Sequence, residues 1–238
     1  LSNAANAAME RELCQVFMEV NHAPEIRVVV LTGAGKAFSA GGDFEYIHQL
    51  LDHQPSCWNG LRWGKQLVFT LLECSKPVIA KINGHAIGLG ATLALFCDVT
   101  FAASHVKIAD PHVAIGLVAG DGGAVIWPQL VGYARAKEYL FTGEPLLAPE
   151  AERIGLINHA VPAEDLDRVV DDYARKLASM PARALQWTKS TINIGLKQVA
   201  HGMMDASLAY EGLSNATHDH REAMAALRDK RKPDYIGD

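Results

Sequence analysis

Three things are scarce in this sequence, and each scarcity excludes a class of protein. Basic residues are outnumbered: 22 Lys and Arg face 27 Asp and Glu, a formal net charge of −5 over 238 residues. A nucleic-acid surface shows as a basic excess or a dense basic stripe, and no run of Lys and Arg supplies one. Long apolar runs are missing. The most apolar stretch, Ala86 to Cys97, is bracketed by His85 and Asp98, well short of the roughly 20 residues a bilayer-spanning helix needs. Cysteine is sparse: Cys14, Cys57, Cys74 and Cys97 stand far apart, with no C-x-x-C pair to suggest a zinc site or a redox dithiol. Scattered thiols suit a reducing compartment and read as small buried hydrophobes. The opening residues, Leu1-Ser2-Asn3-Ala4-Ala5-Asn6, carry no secretory pattern. The expectation is a cytoplasmic protein that engages neither membrane nor nucleic acid.

Hydrophobic residues, by contrast, make up 49% of the chain, enough for one large core with an appendage. Val28-Val29-Val30-Leu31, ending in Thr32-Gly33-Ala34-Gly35, reads as a buried strand and its turn. Pro77 to Gly84 reads as a second strand with its turn, Asp98 to Ala103 as a third, and Lys107-Ile108-Ala109 as a fourth. Helical patterns lie between them, near Met9 to Val20, Trp58 to Leu72 and Gly90 to Phe96. Strand and helix in alternation predict an α/β core with mostly parallel pairing. Beyond Asp165 only helical patterns remain: Leu166 to Met180, Ala182 to Leu196, and again from Met203 to Arg231. No internal repeat or low-complexity segment interrupts them.

Glycine-rich turns carry the chemistry, and two well-known readings fail. Gly33-Ala34-Gly35-Lys36 has Phe38 where a dinucleotide fingerprint needs its third glycine, and Ala37 where a phosphate loop needs Ser or Thr. Two other segments are more specific as a pair: Phe38-Ser39-Ala40-Gly41-Gly42-Asp43, and Ile82-Asn83-Gly84-His85-Ala86-Ile87-Gly88-Leu89-Gly90. The second turns from a strand into a helix, which exposes backbone N–H groups where the helix's partial positive charge gathers. Taken singly, each is also explained as a tight turn.

Together these segments resemble the enoyl-CoA hydratase/isomerase (crotonase) family. Thr32 through Asp43 is similar to its first signature, and Lys76 through Asp98 to its second. Thr142-Gly143-Glu144, Ala151 with Gly155-Leu156-Ile157-Asn158, and Lys230-Arg231-Lys232-Pro233 resemble later stretches of the family, and Asn3 to Met9 resembles its early helix. A further strand usually precedes that helix in the family. The resemblance implies a crotonase-like spiral of ββα units over residues 1–180, carrying the acyl-CoA site, and a C-terminal all-helical region over 181–238 that supports a homotrimer or a dimer of trimers. It implies an acyl-CoA thioester as substrate, with coenzyme A arriving as part of it, no other cofactor and no metal. The oxyanion hole would be the backbone N–H groups of Ala40 and Leu89, with Gly41, Gly88, Gly90, Thr92 and Gly120 shaping the substrate site.

Two departures stand out. Hydratases of the family carry two glutamates for the water and the Cα proton; this chain has Thr92 and His112 at those positions. His112 is the first candidate to replace them, since a neutral imidazole suits proton transfer near pH 7; the alternative is a histidine bonded locally. Asp121, in Gly120-Asp121-Gly122-Gly123, is the second; the alternative is an N-cap. Thr92 cannot act as a base. His85 reads as structural, Asp43 and Asp98 as holding turns, and Asp110 as a local cap or pair. Phe44, Trp58, Trp63, Leu117 and Trp127 could line an acyl pocket, though aromatic residues in such segments are more often simple core. The expected activity is of enoyl-CoA hydratase type, a lyase or isomerase. The alternatives are isomerisation, decarboxylation or thioester hydrolysis on the same fold, and a non-catalytic acyl-CoA binder.

Overall fold

The computed structural model describes residues 2–51 and 54–238, with the side chains of 54–59 set aside. The side chains of Cys57 and Trp58, singled out above, thus lie outside the described residues. Strands form where β-branched runs stand between turns. β1 (Val29–Thr32), β2 (Val78–Ile82), β4 (Val99–Ala103) and β7 (His159–Val161) pair in parallel in the order β1-β2-β4-β7. Val30 faces Ile79 across the first ladder, and Ile79 faces Val99 across the second. β2 is buried at every position except Lys81, so its sequence is apolar without alternation from Val78 to Ala80. A second sheet holds β3 (Ala86–Ile87), β5 (Lys107–Ala109) and β6 (Leu146–Leu147); β3 and β5 run parallel, β5 and β6 antiparallel.

The connections show the repeat. β2 and β3 send one strand to each sheet and lead into α4 (Leu89–Leu95). β4 and β5 do the same and lead, through a short 3-10 turn at His112–Ile115, into α5 (Gly123–Thr142). This is the strand-strand-helix unit that the resemblance implied. α1 (Ala7–His22) is opened by Asn6, whose side chain accepts the N–H groups of Ala8 and Met9, and it packs along α3 (Gln54–Glu73). Asp43 caps α2 (Phe44–Leu50) through the N–H of Tyr46. α6 (Ala148–Arg153) links the two sheets' last strands. α7 (Leu166–Ser179) then lies over β2 and β4, and α8 (Ala182–Asn215) runs against α3 and α5 before α9 (His218–Asp229) closes the chain.

Three differences from the sequence expectations have physical causes. α8 is one helix of 34 residues, where the pattern weakened between Leu196 and Met203. Gly195 and Gly202 each cost about 1 kcal/mol against alanine in a helix, but the buried face of Asn193, Ala200, Met204 and Leu208 carries the helix through. β6 and β7, of 2 and 3 residues, are too short to show periodicity. α5 contains Pro128 and bends at Gly132, whose φ of 78° is non-helical. Asp98 holds its turn as expected: its carboxylate accepts the Val78 N–H at 2.7 Å and pairs with Lys189 Nζ of α8 at 2.7 Å.

Candidate active site

The two glycine segments meet. Phe38 and Ser39 donate their N–H groups to the His85 carbonyl at 3.2 and 3.1 Å, and Ile87 donates to the Ser39 carbonyl at 3.0 Å. The approach is close enough to require glycine: a Cβ on Gly90 would stand 2.6 Å from that of Ser39, and Gly88 adopts φ 53° and ψ −123°, a conformation closed to ordinary side chains. His85 is structural as expected, since its Nδ1 accepts the Lys107 N–H at 2.9 Å. The result sets Ala40 and Gly41 beside Gly88 and Leu89 along one cavity. Leu89 is the first residue of α4, so its N–H has no partner within the helix, and no acceptor for it stands among the described residues. The Ala40 N–H is differently placed: it donates to the Ser2 carbonyl at 3.0 Å.

His112 and Asp121 come together in the same cavity. The 3-10 turn after Pro111 presents the imidazole with one nitrogen on each side toward a carboxylate. Nδ1 is hydrogen-bonded to Asp110 Oδ1, and Nε2 lies 3.5 Å from Asp121 Oδ2. Asp121 is fixed from the other side: its Oδ1 accepts the Thr92 hydroxyl at 3.1 Å and, more weakly, the Gly123 N–H at 3.4 Å. The N-cap of α5 is Gly122, so Asp121 stands one residue ahead of the cap position that the alternative reading gave it. Burial opposes a charged imidazole, yet the carboxylates of Asp110 and Asp121 outweigh it and hold the His112 pKa well above its ordinary value. The two carboxylates thus favour the protonated form of this side chain, where the sequence suggested a neutral base. Burial raises the Asp121 pKa, and the facing imidazolium works against that rise. Asp110 pairs locally, as expected, and its partner is the Nδ1 of His112. Asp110, His112 and Asp121 each offer an atom within 4.8 Å of the others, a cluster able to hold a cation, but Nδ1 is already hydrogen-bonded to Asp110 and Nε2 faces Asp121 across an ion-pair distance of 3.5 Å.

The cavity, about 320 Å³, reaches past these groups to residues that the sequence reading did not single out. Glu10 comes from α1, and Glu211 and Asn215 from α8. Burial pushes the Glu10 carboxyl up to about 8, with the charge of Asp121 adding to the rise. Burial likewise raises Glu211 to about 8; the imidazolium of His112 lowers it, and Asp121 and Asp110 raise it further. Of the aromatic and apolar candidates, Phe44 and Leu117 line the cavity, while Trp127 is wholly buried in the core and Trp63 packs against it. Gly41, Gly88 and Leu89 line it as well. A Cβ on Gly120 would fall 2.6 Å from Glu211 Oε2, so the absence of a side chain there makes room for α8.

The whole chain, residues 1–238, matches the sequence profile of the enoyl-CoA hydratase/isomerase family. This chain belongs to that family. A crotonyl-CoA hydratase of Syntrophomonas wolfei is 36% identical over 236 residues, 98% of this chain and 90% of the relative. A solved enoyl-CoA hydratase/isomerase of Mycobacterium paratuberculosis superposes with a TM-score of 0.90 at 35% identity, covering 95% of this chain and 90% of the other. A β-diketone hydrolase of the cyanobacterium Anabaena, solved with (S)-3-oxocyclohexyl acetic acid bound, superposes with a TM-score of 0.83 at 29% identity, covering 90% and 85%. Enoyl-CoA hydratase/isomerase membership makes this chain a metabolic enzyme with the crotonase fold. Among the described residues no helix is long and apolar enough to cross a membrane.

Proposed function

We propose that the enzyme binds an acyl-CoA thioester, holds its developing enolate oxygen with the N–H groups of Ala40 and Leu89, and moves the proton with His112 and Asp121. The observation that carries this reading is the acceptor-free N–H of Leu89 at the start of α4, in the same cavity as the His112–Asp121 pair. An enolate oxygen seated there would gain a preorganised donor, worth about 3 kcal/mol in a water-excluded site. Ala40 would complete the hole by exchanging its bond to the Ser2 carbonyl for one to the thioester oxygen.

For a 2-enoyl-CoA the steps follow. Water gives a proton to the Asp121 carboxylate as its oxygen bonds to Cβ. The electron pair of the double bond passes to the thioester oxygen. The His112 imidazolium then donates its proton to Cα as the enolate collapses. Transfer across the 3.5 Å contact between Asp121 and His112 restores the starting state. The coenzyme arrives with the substrate, and no further cofactor enters. Incubation with 2-enoyl- and 3-enoyl-CoA esters of short and medium length tests the reading. Gain of one water on a 2-enoyl ester supports hydration, a shifted double bond at constant mass supports isomerisation, and binding without turnover for every ester supports a binder. If no ester binds, the acyl-CoA reading is wrong.

One observation favours a second reading. Among the described lining residues the cavity holds several acidic groups and no Lys or Arg, a setting that needs no thioester to explain it. Hydrolysis of a 1,3-diketone would use the same parts: water adds to one carbonyl, the carbon–carbon bond breaks to release the enolate of the other, and His112 protonates it. A cyclic 1,3-diketone in the same panel tests this, the product being the ring-opened oxo acid.

We further propose that exposed apolar residues of α8, among them Trp187, Ile194, Tyr210 and Leu213, pack against other copies in a homotrimer or dimer of trimers, which sedimentation would measure. Buried free thiols at Cys14, Cys74 and Cys97 support a cytoplasmic location.

A further inference from the structure

Past the reacting groups, the cavity wall carries oxygen atoms that the fold leaves without partners. Glu10 Oε2, Glu211 Oε2 and Asn215 Oδ1 are each buried and unpaired among the described residues, and all three residues line the cavity. Asn215 is 4% exposed and Glu10 7% exposed. The Asn215 amide has its orientation set from behind. Its Nδ2 donates to His220 Nε2 at 3.4 Å, while His220 Nδ1 donates to the Ile115 carbonyl at 2.5 Å. Burial lowers the His220 pKa, consistent with a neutral ring whose Nε2 accepts. The amide nitrogen is thereby used, and the oxygen is left as an acceptor. Leu208, Glu211 and Asn215 recur at helical spacing on one face of α8, so this wall is a designed feature of the helix rather than a stray side chain. With both carboxyls raised to about 8, Glu10 and Glu211 are uncharged acids at neutral pH and can donate as well as accept.

A hydrocarbon chain seated against this wall would leave three buried oxygens without a hydrogen bond. A chain with an oxygen function would supply such bonds. We infer that the enzyme selects an acyl group bearing a hydroxyl or oxo substituent beyond its reacting carbons, with Glu10, Glu211 and Asn215 as the residues that recognise it. The inference rests on the acyl-CoA reading above and narrows its substrate class.

The test uses paired 2-enoyl-CoA esters of equal chain length, one hydrocarbon and one carrying a hydroxyl or oxo group at its distal carbons. Both kcat/KM and, by calorimetry, binding are measured. The oxygenated ester should be favoured by about 100-fold in kcat/KM, since sites built around hydrogen bonds strongly reject analogues that lack the bonding group. Glu211→Leu should cut that ratio by about tenfold. Glu211→Gln, which keeps a donor and an acceptor, should largely preserve it, which guards against a loss due to misfolding. A wild-type ratio within about threefold, with both esters turned over, would overturn the inference and leave the acyl-CoA reading standing. Failure of both esters to bind would overturn the inference and the acyl-CoA reading together.

Discussion

Substituting Leu89 by proline isolates one backbone donor. Among the described residues nothing accepts this N–H, so its removal breaks no hydrogen bond described there. Leu89 is also the first residue of α4, where proline is well tolerated because that N–H is an orphan of the helix. The preceding residue is Gly88, whose missing Cβ relieves much of the usual clash ahead of proline. What remains is the loss of one of two enolate donors, expected to lower kcat by about 10²–10³-fold, or roughly 3 kcal/mol, with little change in KM. Leu89→Ala is the control: it truncates a buried side chain, at a cost in stability of about 2–3 kcal/mol, but keeps the N–H and should keep kcat within a few-fold of the parent. Single-turnover rates on the best ester from the panel, together with thermal melts of both variants, decide the matter. A Leu89→Pro protein that melts no lower than Leu89→Ala and turns over at the parental rate would refute the assignment.

Asp110→Asn removes one of the two carboxylates that keep His112 protonated; kcat should fall by about 10²-fold, and the alkaline limb of the pH–rate profile should move to lower pH, whereas an unmoved limb would show that His112 is not the titrating acid. Glu10 has its carboxyl raised from 4.5 to about 8 on folding, so its contribution is fully present below pH 4.5 and is lost as pH rises toward 8, by up to about 3 kcal/mol at pH 7. Glu10→Gln should therefore match the parent near pH 4 and exceed it in urea melts at pH 7–8; identical slopes in the two proteins would contradict a buried neutral acid. Restoring a family-type carboxylate with His112→Glu should fail on its own, because it sets a third carboxylate beside Asp110 and Asp121, and adding Asp121→Ala should recover part of the lost stability; a strictly additive double-mutant cycle would refute that coupling.

Much of the site's backbone was legible because glycine spacing reports where two chains must touch. Gly41, Gly88 and Gly90 marked the contact between the first signature and the start of α4, and the contact is there. His112 and Asp121 were legible from their motif positions. Their protonation was not, since the charge on His112 depends on Asp110 and Asp121 together, and motif position does not say that a neighbour two residues away folds back onto the ring. Glu10 and Glu211 were missed for a different reason. Neither is the only acid on its helix, since Glu12 and Glu19 share α1 and Asp205 shares α8, and in a charged helix such a residue is usually solvated. A signal did exist: Glu10, Cys14 and Phe17 share the buried face of α1, and Glu211 falls in register with Met204, Leu208 and Asn215 on α8. An acidic residue in phase with an apolar stripe is a pocket candidate, and the chain carries two that converge. The length of α8 was hidden by glycines whose cost only tertiary packing offsets.

The two departures from the family's glutamates are best understood as one change. Thr92 is completely buried and gives its hydroxyl to Asp121, while its methyl lies only 2.8 Å from where a Cβ on Gly122 would sit. A glutamate there would place its charge against Asp121, which the Thr92 hydroxyl now meets. Once the carboxylate stands at Asp121 instead, its partner must be a cation or a proton donor, and the position after Pro111 is filled by a histidine that reaches it. Asp110 then becomes necessary, since an imidazolium in a buried cavity is costly unless both of its nitrogens are met. Thr92, Asp110, His112 and Asp121 therefore form a single interdependent arrangement. On the proposed reading, it would leave the donors at Ala40 and Leu89 in place and move proton handling from two glutamates to an acid and a carboxylate in contact.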